Sequence, residues 1–135
     1  MADSEFLCNQ AQAWARQGRY PEAEAGYREA IRTEPDRLKA YLGLGLVLRR
    51  QRRSAEAEAV FKHAILLKPD GVSAHMELGG ALFEQGRYPE AAAAYREAIR
   101  LRPDFAQAHV SLGLSARAAR APTATRSPRS GERSA

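Results

Sequence analysis

The chain has 135 residues, of which 44% are hydrophobic and 27% are charged, and its formal net charge is +5. This length suits one domain, and no apolar run approaches the ~20 residues that a membrane span requires. The first residues lack the basic and apolar regions of a secretory signal, and the single cysteine, Cys8, excludes an internal disulfide. We therefore expect a cytoplasmic protein that has no membrane association.

After a leader of residues 1–3, the chain consists of segments that resemble one another. The heptapeptide QGRYPEA stands at 17–23 and again at 85–91, and QRRSAEA lies midway between them at 51–57. Three related turns, EPDR, KPDG and RPDF, begin at residues 34, 68 and 102. All these recurrences share a spacing of 34 residues, which identifies the period of the chain.

The first half of each period predicts an amphipathic helix. Small or apolar residues follow one another at i, i+3, i+4 and i+7, as in Tyr41, Leu44, Gly45 and Leu48. Aspartate readily accepts hydrogen bonds from the free N–H groups at a helix N-terminus. We therefore expect an aspartate to cap each of these helices: Asp36, Asp70 and Asp104.

The second half of each period predicts a turn and another helix. Gly18 and Gly86 suit the left-handed conformation that ends a helix. Pro21 and Pro89 suit the first turn of the following helix, and Ser54 is the expected cap in the middle unit. A proline then stops the second helix of every unit: Pro35, Pro69 and Pro103.

Several features recur in register with this period. They are the pairs Leu44-Gly45, Leu78-Gly79 and Leu112-Gly113, alanines at 23, 57, 91, 30, 64 and 98, and the aromatic residues Tyr27, Phe61 and Tyr95. The glycines let helices approach closely, and we expect the aromatic rings to fill the space beside them. This combination resembles the tetratricopeptide repeat (TPR) family, with two departures. Gln10 and Ala11 replace Leu-Gly in the first unit, and His75 and His109 stand where the family often has tryptophan.

The resemblance implies an all-α TPR solenoid of three helix-turn-helix repeats with a C-terminal capping helix. The repeats cover residues 4–37, 38–71 and 72–105, and the capping helix, the first helix of an incomplete fourth repeat, covers 106–119. It also implies a non-catalytic scaffold or adaptor that binds peptides or helices of other proteins in a concave groove lined by the first helices. We expect no cofactor and no metal, because His75 and His109 would lie about 10 Å apart in stacked repeats.

Helical geometry identifies the residues that face this groove, opposite the packed stripe of each first helix. We predict a partner-binding strip of apolar residues with charged neighbours: Gln12, Leu42, Leu46, Arg49, Arg50, Met76, Glu77, Phe83, Val110 and Leu114. Two interpretations stay open for part of it. Leu42, Met76 and Val110 could pack between adjacent repeats, whereas Leu46 and Phe83 favour contact with a partner.

Two further features concern how a partner would fit. Gly43 and Gly80 are expected to leave room in the groove, and the arginines near one end, with glutamates further on, would orient a dipolar partner. Among TPR domains, those that hold the acidic tails of Hsp70 and Hsp90 clamp carboxylates with a Lys/Asn/Asn/Lys/Arg set. The matching positions hold Cys8, Gln12, Gly43, Ser73 and Glu77. We therefore expect no clamp of this kind, and position 6 of the units lacks the asparagine ladder of O-GlcNAc transferase.

The C-terminal part of the chain raises separate possibilities. Leu112 is expected to lack a companion, which predicts self-association through the incomplete fourth repeat, or a truncated relative of a longer array. Residues 120–135 lack bulky apolar side chains and are predicted to be a disordered basic tail. The positive charge is concentrated there, so nucleic-acid binding is a minor alternative, and no aromatic residues interleave with it. A recruitment module of an enzyme system, such as a glycosyltransferase-linked array, is the main alternative function.

Overall fold

The computed structural model describes residues 3–120, which form seven α-helices and no strand. They are α1 (Ser4–Arg16), α2 (Tyr20–Thr33), α3 (Leu38–Arg50), α4 (Ser54–Leu67), α5 (Val72–Glu84), α6 (Tyr88–Leu101) and α7 (Ala106–Arg120). Corresponding helices of the three units begin and end 34 residues apart. The predicted all-α solenoid with a capping helix is confirmed. Within the described range, no helix is both long enough and apolar enough to cross a membrane.

Each helix packs against the helices before and after it in the chain. The first helices of the units also contact one another, α1 against α3 and α3 against α5, so they line one face of the solenoid. Packing of neighbouring units buries a core cluster that runs from Cys8 of α1 to Ala81 of α5, with two smaller clusters beside it.

Aromatic rings of the second helices fill the space over glycines of the first helices. A Cβ atom added to Gly45 would lie 2.4 Å from the Phe61 ring, and one on Gly79 would lie 2.5 Å from the Tyr95 ring. The expectation that these rings occupy the space beside the glycines is confirmed. Tyr27 differs, because its ring lies over Gly43 of the next unit.

The turns between the helices of a unit depend on one left-handed residue. Gly18 has a φ of +78° and Gly86 a φ of +76°, as predicted. Arg52 holds the corresponding place in the middle unit with a φ of +66°. Pro21 and Pro89 lie in the first turns of α2 and α6, also as predicted.

The predicted aspartate caps are wrong. Helices α3, α5 and α7 each begin two residues after the aspartate. The cap positions of α3 and α5 belong to Arg37, whose side chain makes no capping bond, and to Gly71, which has no side chain. The aspartates instead lie inside turns that main-chain hydrogen bonds close, such as Arg37 N–H to the Glu34 carbonyl at 3.1 Å. Ser54 is likewise the first residue of α4 and not its cap.

A side chain of each later first helix binds the turn before it. The Tyr41 hydroxyl donates to the Pro35 carbonyl at 2.7 Å. His75 and His109 hydrogen-bond through Nε2 to the carbonyls of Pro69 and Pro103, at 2.9 and 2.7 Å. The two histidines therefore hold the turns between units. The position at which the family often has tryptophan thus has a structural role in this chain.

Two glutamates of the second helices join consecutive units. Glu24 accepts hydrogen bonds from Gln51 and Arg53, at 3.1 and 2.8 Å. One period later, the buried Glu58 accepts equivalent bonds from Gln85 and Arg87, at 3.0 and 2.6 Å. The recurring Gln-x-Arg turn thus binds the preceding unit, a contact that the sequence interpretation did not include.

Candidate functional site

The candidate site is the face formed by α1, α3, α5 and α7, which we call the groove. It contains two cavities, one of about 410 Å³ between α1 and α3 and one of about 300 Å³ between α5 and α7. A smaller space of about 260 Å³ lies between them, and it is lined by Leu46, Arg49, Arg50, Glu77 and Glu84. The volumes of the two larger cavities are in the range of ligand-binding pockets, which begins at about 300 Å³.

The cavity between α1 and α3, the α1–α3 cavity, combines apolar walls with hydrogen-bond donors. Its lining consists of Gln12, Ala15, Arg16, Tyr20, Tyr27, Gly43, Leu46, Val47 and Arg50. The first helices supply most of these side chains, and the second helix α2 supplies the two tyrosines. Three predicted site residues, Gln12, Leu46 and Arg50, therefore meet in one place.

Arg49, Glu77 and Glu84 form an ion-pair network in the middle of the groove. Arg49 Nη1 lies 2.5 Å from Glu77 Oε1, and Arg49 Nη2 lies 2.8 Å from Glu84 Oε2. Ser54 also donates its hydroxyl to Glu84, at 2.6 Å. Arg49 thus reaches from α3 across to α5, and its charge is paired with the two glutamates that were expected further along the groove.

The two carboxyl groups of this network differ in acidity. Burial raises the pKa of Glu77 above its ordinary value, and the attraction of Arg49 does not fully offset this effect. Burial also acts on Glu84, but hydrogen bonds from Arg49 and Ser54 outweigh it and lower the pKa of that carboxyl. Two neighbouring glutamates on α5 therefore have pKa values shifted in opposite directions.

Two glycines of the groove, Gly43 and Gly80, lie directly beneath side chains of neighbouring elements. A Cβ atom on Gly43 would lie 2.2 Å from the Tyr27 ring, and one on Gly80 would lie 2.6 Å from the Arg49 guanidinium. Side chains of neighbouring elements thus occupy the space directly over these two glycines, although Gly43 and Gly80 each line one of the two cavities.

The predicted apolar strip divides into exposed and packed residues. Leu46, Val110 and Leu114 are 40%, 62% and 51% exposed. Leu42, Met76 and Phe83 are half-buried against core clusters. Phe83 also makes an edge contact with Tyr88 at a ring separation of 4.9 Å. Of the predicted strip, these three residues expose the most apolar surface, and the half-buried Met76 lines the cavity between α5 and α7.

The α5–α7 cavity is more polar than the α1–α3 cavity. Its lining consists of Arg49, Ser73, Met76, Glu77, Gly80, Tyr95, Phe105, Gln107 and Ser111. Leu42 lies apart from both, in a space lined by the start of α3 and the turn before α5. Among the described residues, no group of histidine, cysteine, aspartate and glutamate could hold a metal ion.

Helical-face reasoning missed part of the α1–α3 cavity. Tyr20 and Tyr27 belong to a second helix, which the reasoning did not include in the groove. Arg16 stands one period before Arg50, and helical geometry places it on the groove face, although the predicted strip did not include it.

The environment of α7 also corrects an expectation. Leu112 is half-buried and packs against the cluster of Leu82, Ala91, Ala94 and Tyr95. It therefore has a companion in the preceding unit, and the exposed apolar residues of α7 are Val110 and Leu114. The predicted basic tail falls almost wholly on residues 121–135, outside the described residues, while Arg120 is the last residue of α7.

Comparison with solved structures supports the fold. The chain is similar to the first TPR domain of Spaghetti (RPAP3) bound to the HSP90 peptide SRMEEVD, with a TM-score of 0.86 and 22% identity over 88% of this chain and 94% of that one. It is also similar to the TPR domain of Arabidopsis OM64, with a TM-score of 0.82 and 25% identity over 84% and 94% of the two chains.

A third similar structure is a larger protein. The match to a mutant O-GlcNAc transferase of Thermobaculum terrenum has a TM-score of 0.76 and 26% identity, and it covers 83% of this chain but 22% of that one. Comparison with the sequences of curated proteins gave no match.

The family comparison agrees with the 34-residue period. A family model described as Tetratricopeptide repeat matches residues 8–71, 42–104 and 81–124. Domains of this family are generally non-catalytic modules of protein–protein interaction. The matches together span most of the sequence, and the chain belongs to the tetratricopeptide repeat family.

Proposed function

We propose that this protein is a non-catalytic scaffold that binds a partly apolar peptide or helix of another protein in the groove. The observation that carries the proposal is the α1–α3 cavity, which has apolar walls and the exposed Leu46 in its lining. An apolar surface surrounded by polar groups suits an amphipathic segment. A cytoplasmic location is part of the proposal.

Binding would bury apolar side chains of the partner against Leu46 at one end and against Val110 and Leu114 at the other. Full burial of one aliphatic side chain contributes about 1.5–3 kcal/mol. The Arg49 network between the two ends offers polar contacts that would set the register of the partner. Peptide binding by Spaghetti (RPAP3), which shares the fold, is consistent with such a groove.

The proposal can be tested by affinity capture followed by binding to the purified candidate. The baits are the wild type, Leu46→Glu, and Leu66→Glu as a matched control. Leu66 is 79% exposed on the second helix α4 and lines none of the cavities described above. We expect Leu46→Glu to weaken binding roughly tenfold to a hundredfold, because it removes one apolar contact. Leu66→Glu should bind as the wild type does.

A fourth bait that ends at residue 120 separates the groove from the basic tail. Circular dichroism first establishes that all baits are equally helical. Capture that survives Leu46→Glu, requires the tail and falls steeply with salt would contradict the proposal. That result would favour nucleic-acid or acidic-partner binding through the tail.

A second candidate is a recruitment module of an enzyme system. The similarity to O-GlcNAc transferase favours it, because the match covers less than a quarter of that enzyme's chain. This function predicts that a glycosyltransferase or another catalytic chain co-purifies with the wild type and is lost with Leu46→Glu. If the captured partners have no catalytic activity, the simple scaffold is favoured.

A further inference from the structure

Two arginines converge on the α1–α3 cavity. Arg16 is the last residue of α1 and Arg50 is the last residue of α3, one period later. Both are exposed, and neither forms an ion pair within residues 3–120. The helix dipole favours a cation at such a position. It does not account for two cations that line one cavity and have no acidic counterpart there.

The remaining lining of the cavity also lacks a negative charge. No aspartate or glutamate contributes to it. Gln12 and the Tyr27 hydroxyl offer further hydrogen-bond donors, and Ala15 and Leu46 add apolar surface. Glu77 and Glu84 line the adjoining space together with Arg50, and Arg49 already binds both of them. A ligand for this cavity should therefore combine an anion with an apolar group.

The sign of the charge changes along the groove. The residue that ends the first helix is arginine in units one and two but glutamate, Glu84, in unit three. An acidic side chain of a partner would be attracted at the α1–α3 end and would meet Glu77 and Glu84 further along. The charge pattern thus selects one end of the groove for an acid and the other for a neutral or basic segment.

From these contacts we propose that the α1–α3 cavity binds an aspartate or glutamate side chain of the partner, with an adjacent apolar residue packed on Leu46. The inference rests on the proposed function and specifies the partner's chemistry. Arginine guanidinium groups form strong, often bidentate, hydrogen bonds with carboxylates, and two of them around one carboxylate add geometric specificity. The partner's acid would supply the charge that this cavity lacks.

Short blocked peptides test the proposal directly. The full-length chain is titrated with acetyl-Leu-Glu-Leu-amide and with acetyl-Leu-Gln-Leu-amide while backbone amide resonances are recorded by NMR. We expect the acidic peptide to shift resonances around Gln12, Arg16, Leu46 and Arg50, with an affinity at least about tenfold above that of the glutamine peptide. Added salt should weaken binding of the acidic peptide more than binding of the glutamine peptide.

A charge exchange provides the decisive variant. The double variant Arg16→Glu/Arg50→Glu should no longer bind the acidic peptide and should instead prefer acetyl-Leu-Lys-Leu-amide. The matched control is Arg96→Glu/Arg120→Glu, which makes the same change in charge at two exposed arginines outside the cavity. The control should keep the preference of the wild type. Because the test is a reversal of preference, partial loss of stability cannot imitate it.

Three results would overturn the proposal. One is the absence of chemical-shift changes in the amide resonances of α1 and α3 at about 10 mM acidic peptide. This concentration is well above a Kd of about 1 mM. Another is equal binding of the glutamate and glutamine peptides. The third is stronger binding of acetyl-Leu-Gln-Leu with a free terminal carboxylate than of the glutamate peptide, which would assign the cavity to chain ends.

The proposed acidic subsite and the proposed scaffold function can be refuted separately. If a captured partner depends on Leu46 but binds Arg16→Glu/Arg50→Glu with unchanged affinity, the acidic subsite is wrong and the scaffold function stands. If capture is independent of Leu46, both are wrong.

Discussion

At the scale of single residues, the backbone conformation of Arg52 has a free-energy cost that Gly18 and Gly86 avoid at the corresponding positions. Arg52 adopts a φ of +66° where the other units have Gly18 and Gly86. No atom lies within 4 Å of a Cβ added to either glycine, so conformation and not space favours glycine here. A residue with a side chain loses roughly 1–2 kcal/mol in this conformation. Arg52 is therefore a locally strained position in the middle unit.

We expect Arg52→Gly to raise the free energy of unfolding by about 0.5–1 kcal/mol. Relief of the left-handed conformation should exceed the added flexibility of glycine in the unfolded chain. Urea denaturation followed by circular dichroism measures the change. Arg52→Ala is the control, because it removes the charge but keeps the strain. An equal gain in stability for Arg52→Ala would show that charge, and not backbone conformation, is responsible.

At the scale of elements, the glutamates of α2 and α4 connect each unit to the next. Glu58 of α4 is buried and accepts hydrogen bonds from Gln85 and Arg87, which lie in the turn between α5 and α6. Lys62 adds an ion pair at 2.9 Å. A carboxylate enclosed by three donors orients the turn relative to the preceding helix, so this contact fixes how neighbouring units stack.

We expect Glu58→Ala to lower the free energy of unfolding by about 1.5–3 kcal/mol, the range for hydrogen bonds to charged groups. Glu22→Ala is the control, because Glu22 forms an exposed pair with Arg19 at 3.5 Å. It should change stability by less than about 0.5 kcal/mol. Similar effects of the two substitutions in urea denaturation would contradict the role assigned to Glu58.

The same contact predicts a dependence on pH. Burial alone would raise the pKa of Glu58, but hydrogen bonds from Gln85, Lys62 and Arg87 outweigh it and lower that pKa. Its contribution is therefore present above the unfolded pKa of about 4.3 and is lost as pH falls through the lower folded value. The difference in stability between the wild type and Glu58→Ala should shrink below about pH 4. A difference that persists there would indicate packing instead of charge.

At the scale of the whole molecule, the positions compared above with a carboxylate clamp are buried, covered or already paired. Cys8 is buried in the core, and burial raises the pKa of its thiol. Gly43 is covered by Tyr27, and Glu77 is held by Arg49. Within residues 3–120, Arg16 and Arg50 at the ends of α1 and α3 form no ion pair.

We expect no binding of SRMEEVD, the HSP90 peptide bound by Spaghetti (RPAP3), that depends on its terminal carboxylate. Fluorescence anisotropy compares the labelled peptide as free acid and as C-terminal amide. The first TPR domain of that protein serves as the comparison domain in the same assay. Loss of binding on amidation would contradict the prediction and would assign a carboxylate clamp to this chain.

The sequence by itself determined the features that depend on neighbouring residues. The left-handed turns at Gly18 and Gly86 and the two prolines in first helical turns are local, and each is present in the structure. The period of 34 residues is not local, but it can be read directly from recurring sequence and is also present. The aspartate caps were wrong, although they are also local. Main-chain hydrogen bonds of the turns placed the aspartates one residue earlier than a cap.

Only the tertiary structure decided which predicted site residues are available. Helical periodicity gives the direction of a side chain from its own axis, but not the distance to the next unit. Arg49 spans that distance to Glu77 and Glu84, and Tyr27 reaches Gly43 from the preceding unit. Leu46 is 40% exposed, whereas Leu112 packs against side chains of α6. Long side chains and the spacing between units together define the groove.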